Sequence, residues 1–154
     1  MRVTICAVGR LRAGPERELV EDYLIRFGRT GRTLGLGPAT VAEVETRTGG
    51  RTAEAALLSR AIPQGALLCC LDERGEALSS PGFAALLGRW RDEGRDAAFV
   101  IGGADGIGPE LRGRPSMLLS FGPMVWPHLL VRVMLAEQLY RAATILAGGP
   151  YHRA

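Results

Sequence analysis

Short β-branched or wholly apolar runs alternate along this chain with longer segments whose apolar residues recur every three or four positions. That alternation restricts the fold more than any other feature. Arg2 to Val8 reads as a strand ended by Gly9, and Pro15 to Phe27 places Leu19, Val20, Tyr23, Leu24 and Phe27 at helical spacing. Gly28 to Pro38, rich in Gly, Thr and Arg, reads as a loop before a strand over Ala39 to Val44 and a break at Gly49-Gly50. Arg51 to Ile62 reads as a helix, Ala66 to Leu71 as a strand, Pro81 to Trp90 as a helix and Asp96 to Ile101 as a strand. Strands that are apolar throughout are covered on both faces, so the expected fold class is α/β, a parallel sheet flanked by helices. The 154 residues show no repeat and no linker, so one domain is expected over residues 1–154.

The end of the chain is unlike the rest. His128 follows Pro127 at a helix start, and from Leu129 to Leu146 apolar residues cover most of the helical circumference, leaving polar strips at Arg132 and at Glu137, Arg141 and Thr144. A helix apolar nearly all round is buried on both sides, which points to self-association as a two-fold homodimer. Glu137 and Arg141 stand four apart in the order that favours an intrahelical ion pair. Beyond the helix, Tyr151, His152 and Arg153 put three functional side chains into a terminal tail, where nondescript polar residues are usual. Such a tail can reach into a site, including a neighbour's.

All 19 basic residues are Arg, a side chain suited to bidentate phosphate contact, and the formal net charge is +3. No apolar run approaches the roughly 20 residues of a membrane helix, and the N-terminus lacks an extended apolar leader, so a cytoplasmic protein is expected. Cys6, Cys69 and Cys70 have no metal-ligand spacing and read as buried thiols, Cys69 and Cys70 facing opposite sides of one strand. No metal site is expected.

Two constellations can carry chemistry. Gly102-Gly103-Ala104-Asp105-Gly106 directly follows an apolar strand, where open α/β sheets bind ligands; it matches neither the dinucleotide fingerprint nor a P-loop, and a plain turn accounts for it equally. His128 and His152, the only histidines, suit acid–base work near neutral pH.

Val8-Gly9, Leu71-Asp72 with Gly75, Arg89-Trp90, Gly94-Arg95-Asp96, Ile101-Gly102-Gly103 with Gly106, Pro127-His128, Arg132, Glu137-Gln138 with Tyr140-Arg141-Ala142, and Pro150-Tyr151-His152-Arg153 together resemble the RlmH (YbeA-like) family of ribosomal RNA methyltransferases, within the SPOUT superfamily. The resemblance runs nearly end to end. It implies a C-terminal trefoil knot, which general topology rules would not anticipate, and a homodimer. It implies S-adenosylmethionine held by Leu71, Gly103 and the loop Gly122, Pro123, Met124, Val125, Trp126 and Pro127. Inside that loop Gly122 and Val125 stand where relatives carry hydroxyl side chains, Trp126 where leucine or phenylalanine is common, and Leu129 where proline or glutamine is usual.

The implied substrate is a pseudouridine of 23S ribosomal RNA, methylated at N3 within the assembled ribosome. On that reading His128 serves as base or proton relay, Arg153 from the partner's tail stabilises charge, Tyr151 orients the base and His152 shares either task. Arg26, Arg29, Arg32, Arg47 and Arg51 are further candidates for RNA backbone contact. Two alternatives stay open: an RNA- or ribosome-binding protein without methyl transfer, and a knotted methyltransferase acting on transfer RNA.

Overall fold

Five strands form one all-parallel sheet in the order β2-β1-β4-β3-β5 in the computed structural model, which describes residues 1–113 and 115–153. The strands are β1 (Val3–Val8), β2 (Ala39–Val44), β3 (Leu67–Ala77), β4 (Ala97–Ile101) and β5 (Met117–Ser120). Helices α1 (Pro15–Gly31), α2 (Arg51–Ala61), α3 (Ser80–Asp92) and α4 (Pro109–Arg112) connect them, and α5 (His128–Leu146) closes the chain. The α/β expectation holds, down to the bounds of β2.

Alternation along the strands divides the core into two layers. Ile5, Cys69, Phe99 and Ile101 pack on one face with Phe27 of α1, Leu87 of α3 and Leu135 and Leu139 of α5. Cys6, Cys70, Ala98 and Val100 pack on the other with Ala55 and Leu58 of α2 and Leu111 of α4. Cys69 and Cys70 therefore do face opposite layers, and all three thiols are buried.

Two segments differ from expectation. The Gly28 to Pro38 loop is shorter than the sequence suggests: α1 runs on to Gly31, and a 3₁₀ turn follows over Arg32–Leu34. Gly31 is needed there because a Cβ would lie 2.7 Å from the Leu36 carbonyl oxygen; helix breaking was the wrong inference for a glycine that serves close packing. Strand β3 continues past Leu71 to Ala77, and its register to β5 shifts between Leu71 and Glu76. Gly75 lies so close to β5 that a Cβ would come within 2.6 Å of the Leu118 carbonyl carbon. Finally, β5 and α4 had no expectation, being too short to show periodicity.

Helix α5 is covered in part by its own chain. It packs between α1 and α3, which buries Leu135, Ala136, Leu139, Ala142 and Ala143, while Leu130 stays exposed. Among the described residues no helix is long and apolar enough to cross a membrane.

Candidate active site

Parallel strands all point their carboxyl ends the same way, so the loops that follow them share one edge of the sheet. Here the ends of β3, β4 and β5 enclose a cleft of about 310 Å³, within the size range of small-ligand sites. Leu71, Ile101, Leu119 and Phe121 give it apolar walls, the Gly102 to Gly106 turn forms one side, and Met124, Val125 and Trp126 form a lip. That lip is solvent-exposed, with Val125 82% accessible. His128, at the first turn of α5, also lines the cleft.

Charge in the cleft is balanced. Asp72, Glu73 and Asp105 face Arg51, Arg74 and Arg112. Asp72, only 5% exposed at its side chain, is held by Arg112 through Nε at 2.9 Å and Nη2 at 2.8 Å. Ser120 Oγ accepts from Gly122 N at 3.0 Å and lies 3.1 Å from the carbonyls of Gly122 and Glu73. Gly122 itself has φ +107°, a conformation L side chains rarely adopt. Ser120 thus ties the start of the loop to β3.

From β5, at the sheet edge, the chain crosses the ends of β3 and β4 to bring His128 beside β1: a Cβ on Gly9 would lie 3.9 Å from His128 Nε2. Arg132, one turn further along α5 and fully buried, fixes this approach. It donates from Nη1 to Glu43 Oε2 at 2.7 Å and from Nη2 to the carbonyls of Val8 and Gly9 at 3.1 and 3.0 Å.

Of the residues expected to hold cofactor, Leu71, Gly103, Gly122, Met124, Val125 and Trp126 line the cleft together; Pro123 and Pro127 belong to the same loop and do not line it. The tail lies elsewhere. Tyr151 OH donates to Glu137 Oε1 at 3.0 Å and its ring packs 4.6 Å from that of Tyr140, with the Arg141 guanidinium 4.8 Å above it. Arg141 Nη1 lies 3.1 Å from His152 Nδ1, and since a guanidinium only donates, the ring accepts there. Burial, then the Glu137 carboxylate, pushes the Tyr151 phenol well above its ordinary range. Arg141 is thirteen residues from His128, about 20 Å along α5, so Tyr151 and His152 do not meet His128 of their own chain; Arg153 is exposed. The expected Glu137–Arg141 pair is present, but it also anchors this tail.

Among the other arginines, Arg26 is engaged by Asp22 at 3.0 Å and by the rings of Tyr23 and Tyr140, whereas Arg51 lines the cleft. Sequence reasoning passed over Arg112, Ser120 and Glu54. The first two lie on α4 and β5, which had no signal, and Glu54 reads as an ordinary helix-surface residue. Among the described residues no group of three or more His, Cys, Asp or Glu is placed to hold a metal.

Fold and cleft place the chain among the SPOUT methyltransferases: the family model described as "predicted SPOUT methyltransferase" matches residues 1–152. The chain is 68% identical over 155 residues to the ribosomal RNA large subunit methyltransferase H of Ruegeria pomeroyi and 67% identical over 155 residues to that of Dinoroseobacter shibae, covering 99% of each chain in both comparisons. It belongs to the ribosomal RNA large subunit methyltransferase H family, as the resemblance in its sequence implied. A probable methylase family protein from Haemophilus influenzae shares the fold, with a TM-score of 0.53 over 99% of this chain and 70% of that one at 12% identity.

Proposed function

We propose that this protein is an S-adenosylmethionine-dependent methyltransferase acting on N3 of a pseudouridine in 23S ribosomal RNA of the assembled ribosome. The observation that carries the reading is the cleft itself, in which the loop after β5 delivers His128 to the glycine turn after β4, in a chain so similar to ribosomal RNA large subunit methyltransferases H. The cofactor fits the residues present. Gly103 lines the cleft with bare backbone, because the space a side chain would take is already filled by neighbouring packing. Apolar walls suit an adenine, and the mixed carboxylates and guanidinium groups suit a ligand that carries both charges. Leu71, Gly103 and the loop Gly122 to Pro127 would hold it. When bound, S-adenosylmethionine supplies an electrophilic methyl group.

The chain's own residues supply position and proton transfer. An imide N3 gives up its proton as it becomes nucleophilic, and His128, at the cleft beside Gly9, takes it. Charge then spreads onto the flanking carbonyl oxygens, which Arg153 stabilises. Since the tail lies about 20 Å along α5 from its own His128, an antiparallel pairing of α5 helices in a homodimer brings Tyr151, His152 and Arg153 to the partner's cleft. We further propose that the crossing from β5 to α5 threads the trefoil knot of the superfamily.

Methyl-labelled S-adenosylmethionine, incubated with undermethylated ribosomes, tests the reading. The expected result is label on one pseudouridine, abolished when Tyr151 onwards is deleted. Ribosome binding without any label would overturn methyl transfer in favour of a binding-only role, and label on transfer RNA would overturn the substrate.

A further inference from the structure

Glu54 stands on α2 and has no part in the mechanism above. It is only 9% exposed, and its buried Oε2 has no hydrogen-bond partner among the described residues. Burying an acceptor without a donor is unfavourable, so such a group calls for a donor that the described residues do not supply.

Its surroundings say where. Glu54 lines a second cleft, formed at the ends of β1 and β2 with Val8, Gly9, Thr46, Arg47 and Gly49. The two clefts meet at a pair of glycines. A Cβ on Gly103 would lie 2.9 Å from Glu54 Oε2 and 3.2 Å from Val8 Cγ1, and a Cβ on Gly9 would lie 3.9 Å from His128 Nε2. The buried acceptor and the imidazole thus flank one junction. The strand order puts that junction at the switch point between β1 and β4, where chain progression across the sheet reverses.

We propose that Glu54 accepts a hydrogen bond from N1–H of the target pseudouridine and so makes the protein select pseudouridine over uridine; the inference rests on the function proposed above. Pseudouridine is joined to ribose through C5, which leaves N1 as a donor. In uridine N1 carries the ribose, and the corresponding ring position offers only C–H. N3 and its two carbonyls are common to both bases, so N1–H is the feature that distinguishes them. N1 and N3 flank the C2 carbonyl, so a base with N3 toward His128 would turn N1 toward the Gly9 and Gly103 junction that Glu54 borders. Arg47 in the same cleft is placed for the neighbouring phosphate. A site that leaves a carboxylate unpaired rejects a ligand lacking the donor more strongly than added contact area could.

Ribosomes from cells lacking the relevant pseudouridine synthase present uridine at the same position. Turnover per KM is measured on both ribosomes for wild type, Glu54→Met, which removes the acceptor at similar volume, and Glu54→Gln, which keeps a neutral one; cofactor affinity is measured by calorimetry. Wild type should prefer pseudouridine by about 10- to 100-fold, the range of a hydrogen bond to a charged group. Glu54→Met should lower the pseudouridine rate to that of uridine, leave the uridine rate and cofactor affinity within about twofold, and Glu54→Gln should fall between. A Glu54→Met that slows both substrates alike, or keeps the preference, overturns the inference. Should Glu54→Met fail to bind cofactor through misfolding, Glu54→Gln decides, because an undiminished preference there overturns it too. Equal wild-type rates on both ribosomes sink the inference and leave methyl transfer standing, whereas no label on either ribosome removes the function and the inference together.

Discussion

Arg132 shows how much one side chain can fix. A fully buried guanidinium is tolerated only where acceptors reach it, and here Glu43 and two carbonyls of the β1 exit take both Nη groups, while Nε has no partner among the described residues. Because it stands one turn from His128, it sets the distance between α5 and Gly9. Arg132→Ala should cost about 2–4 kcal/mol in urea unfolding, less than a wholly buried pair would because Glu43 reaches solvent; a loss below about 1 kcal/mol would show that the network is not stabilising. The buried thiols act in the opposite sense, through what they do not do. Burial raises the Cys6 pKa from 9.0 to about 11, and that of Cys69 further still. The folded chain therefore keeps these protons while the unfolded chain loses them above about pH 9. Stability should be unaffected by these groups below pH 9 and fall as pH rises to about 11, by about 2–3 kcal/mol from Cys6 alone. Cys6→Ala should flatten that alkaline decline in denaturant titrations.

At the scale of elements, the C-terminal tail and α5 form one unit. Glu137 accepts from Tyr151 and Arg141 and from Gln138 Nε2 at 3.1 Å, so a single carboxylate gathers the contacts that dock the tail. Tyr151→Phe should weaken docking by about 1 kcal/mol, visible as roughly fivefold faster amide exchange in the tail with global stability preserved. Unchanged exchange would place the docking energy in the Tyr140 and Arg141 ring contacts. The sequence revealed the elements in proportion to their length. Helix spacing located α1, α2, α3 and α5, and continuous apolar runs located β1 to β4, because burial on one face or two leaves a repeating mark. Short β5 and α4 leave none. Gly31 misled for a different reason: a glycine that ends a helix and one that admits a neighbouring backbone look alike until the neighbour is known. The glycine turn and His128 stood out in the sequence as candidates and the loop after β5 only through the family resemblance, whereas Arg112, Ser120 and Glu54 depend on partners distant in sequence.

For the whole molecule, the question is whether one active site draws on two chains. If Arg153 serves the partner's His128, then His128→Ala and Arg153→Ala chains, each inactive alone, complement when mixed. Half of the randomly assembled dimers would be heterodimers with one intact site in two, giving about a quarter of wild-type activity. No recovery, with heterodimers verified by mass, would show that the tail acts within its own chain. Leu130, exposed on α5, belongs to the face that such pairing would cover, so Leu130→Glu should shift sedimentation toward monomer.

The exposed apolar lip of the cleft also gives the molecule an optical reporter. The chain has two tryptophans; Trp90 is 7% exposed in the core, whereas Trp126 is 41% exposed and lines the cleft. Emission from Trp90 should stay constant while anything that settles against the lip moves Trp126 from water into contact and shifts its emission to shorter wavelength. Ligand arrival could then be timed in the unlabelled protein on the millisecond scale of loop closure, with Trp126→Phe as the dark control.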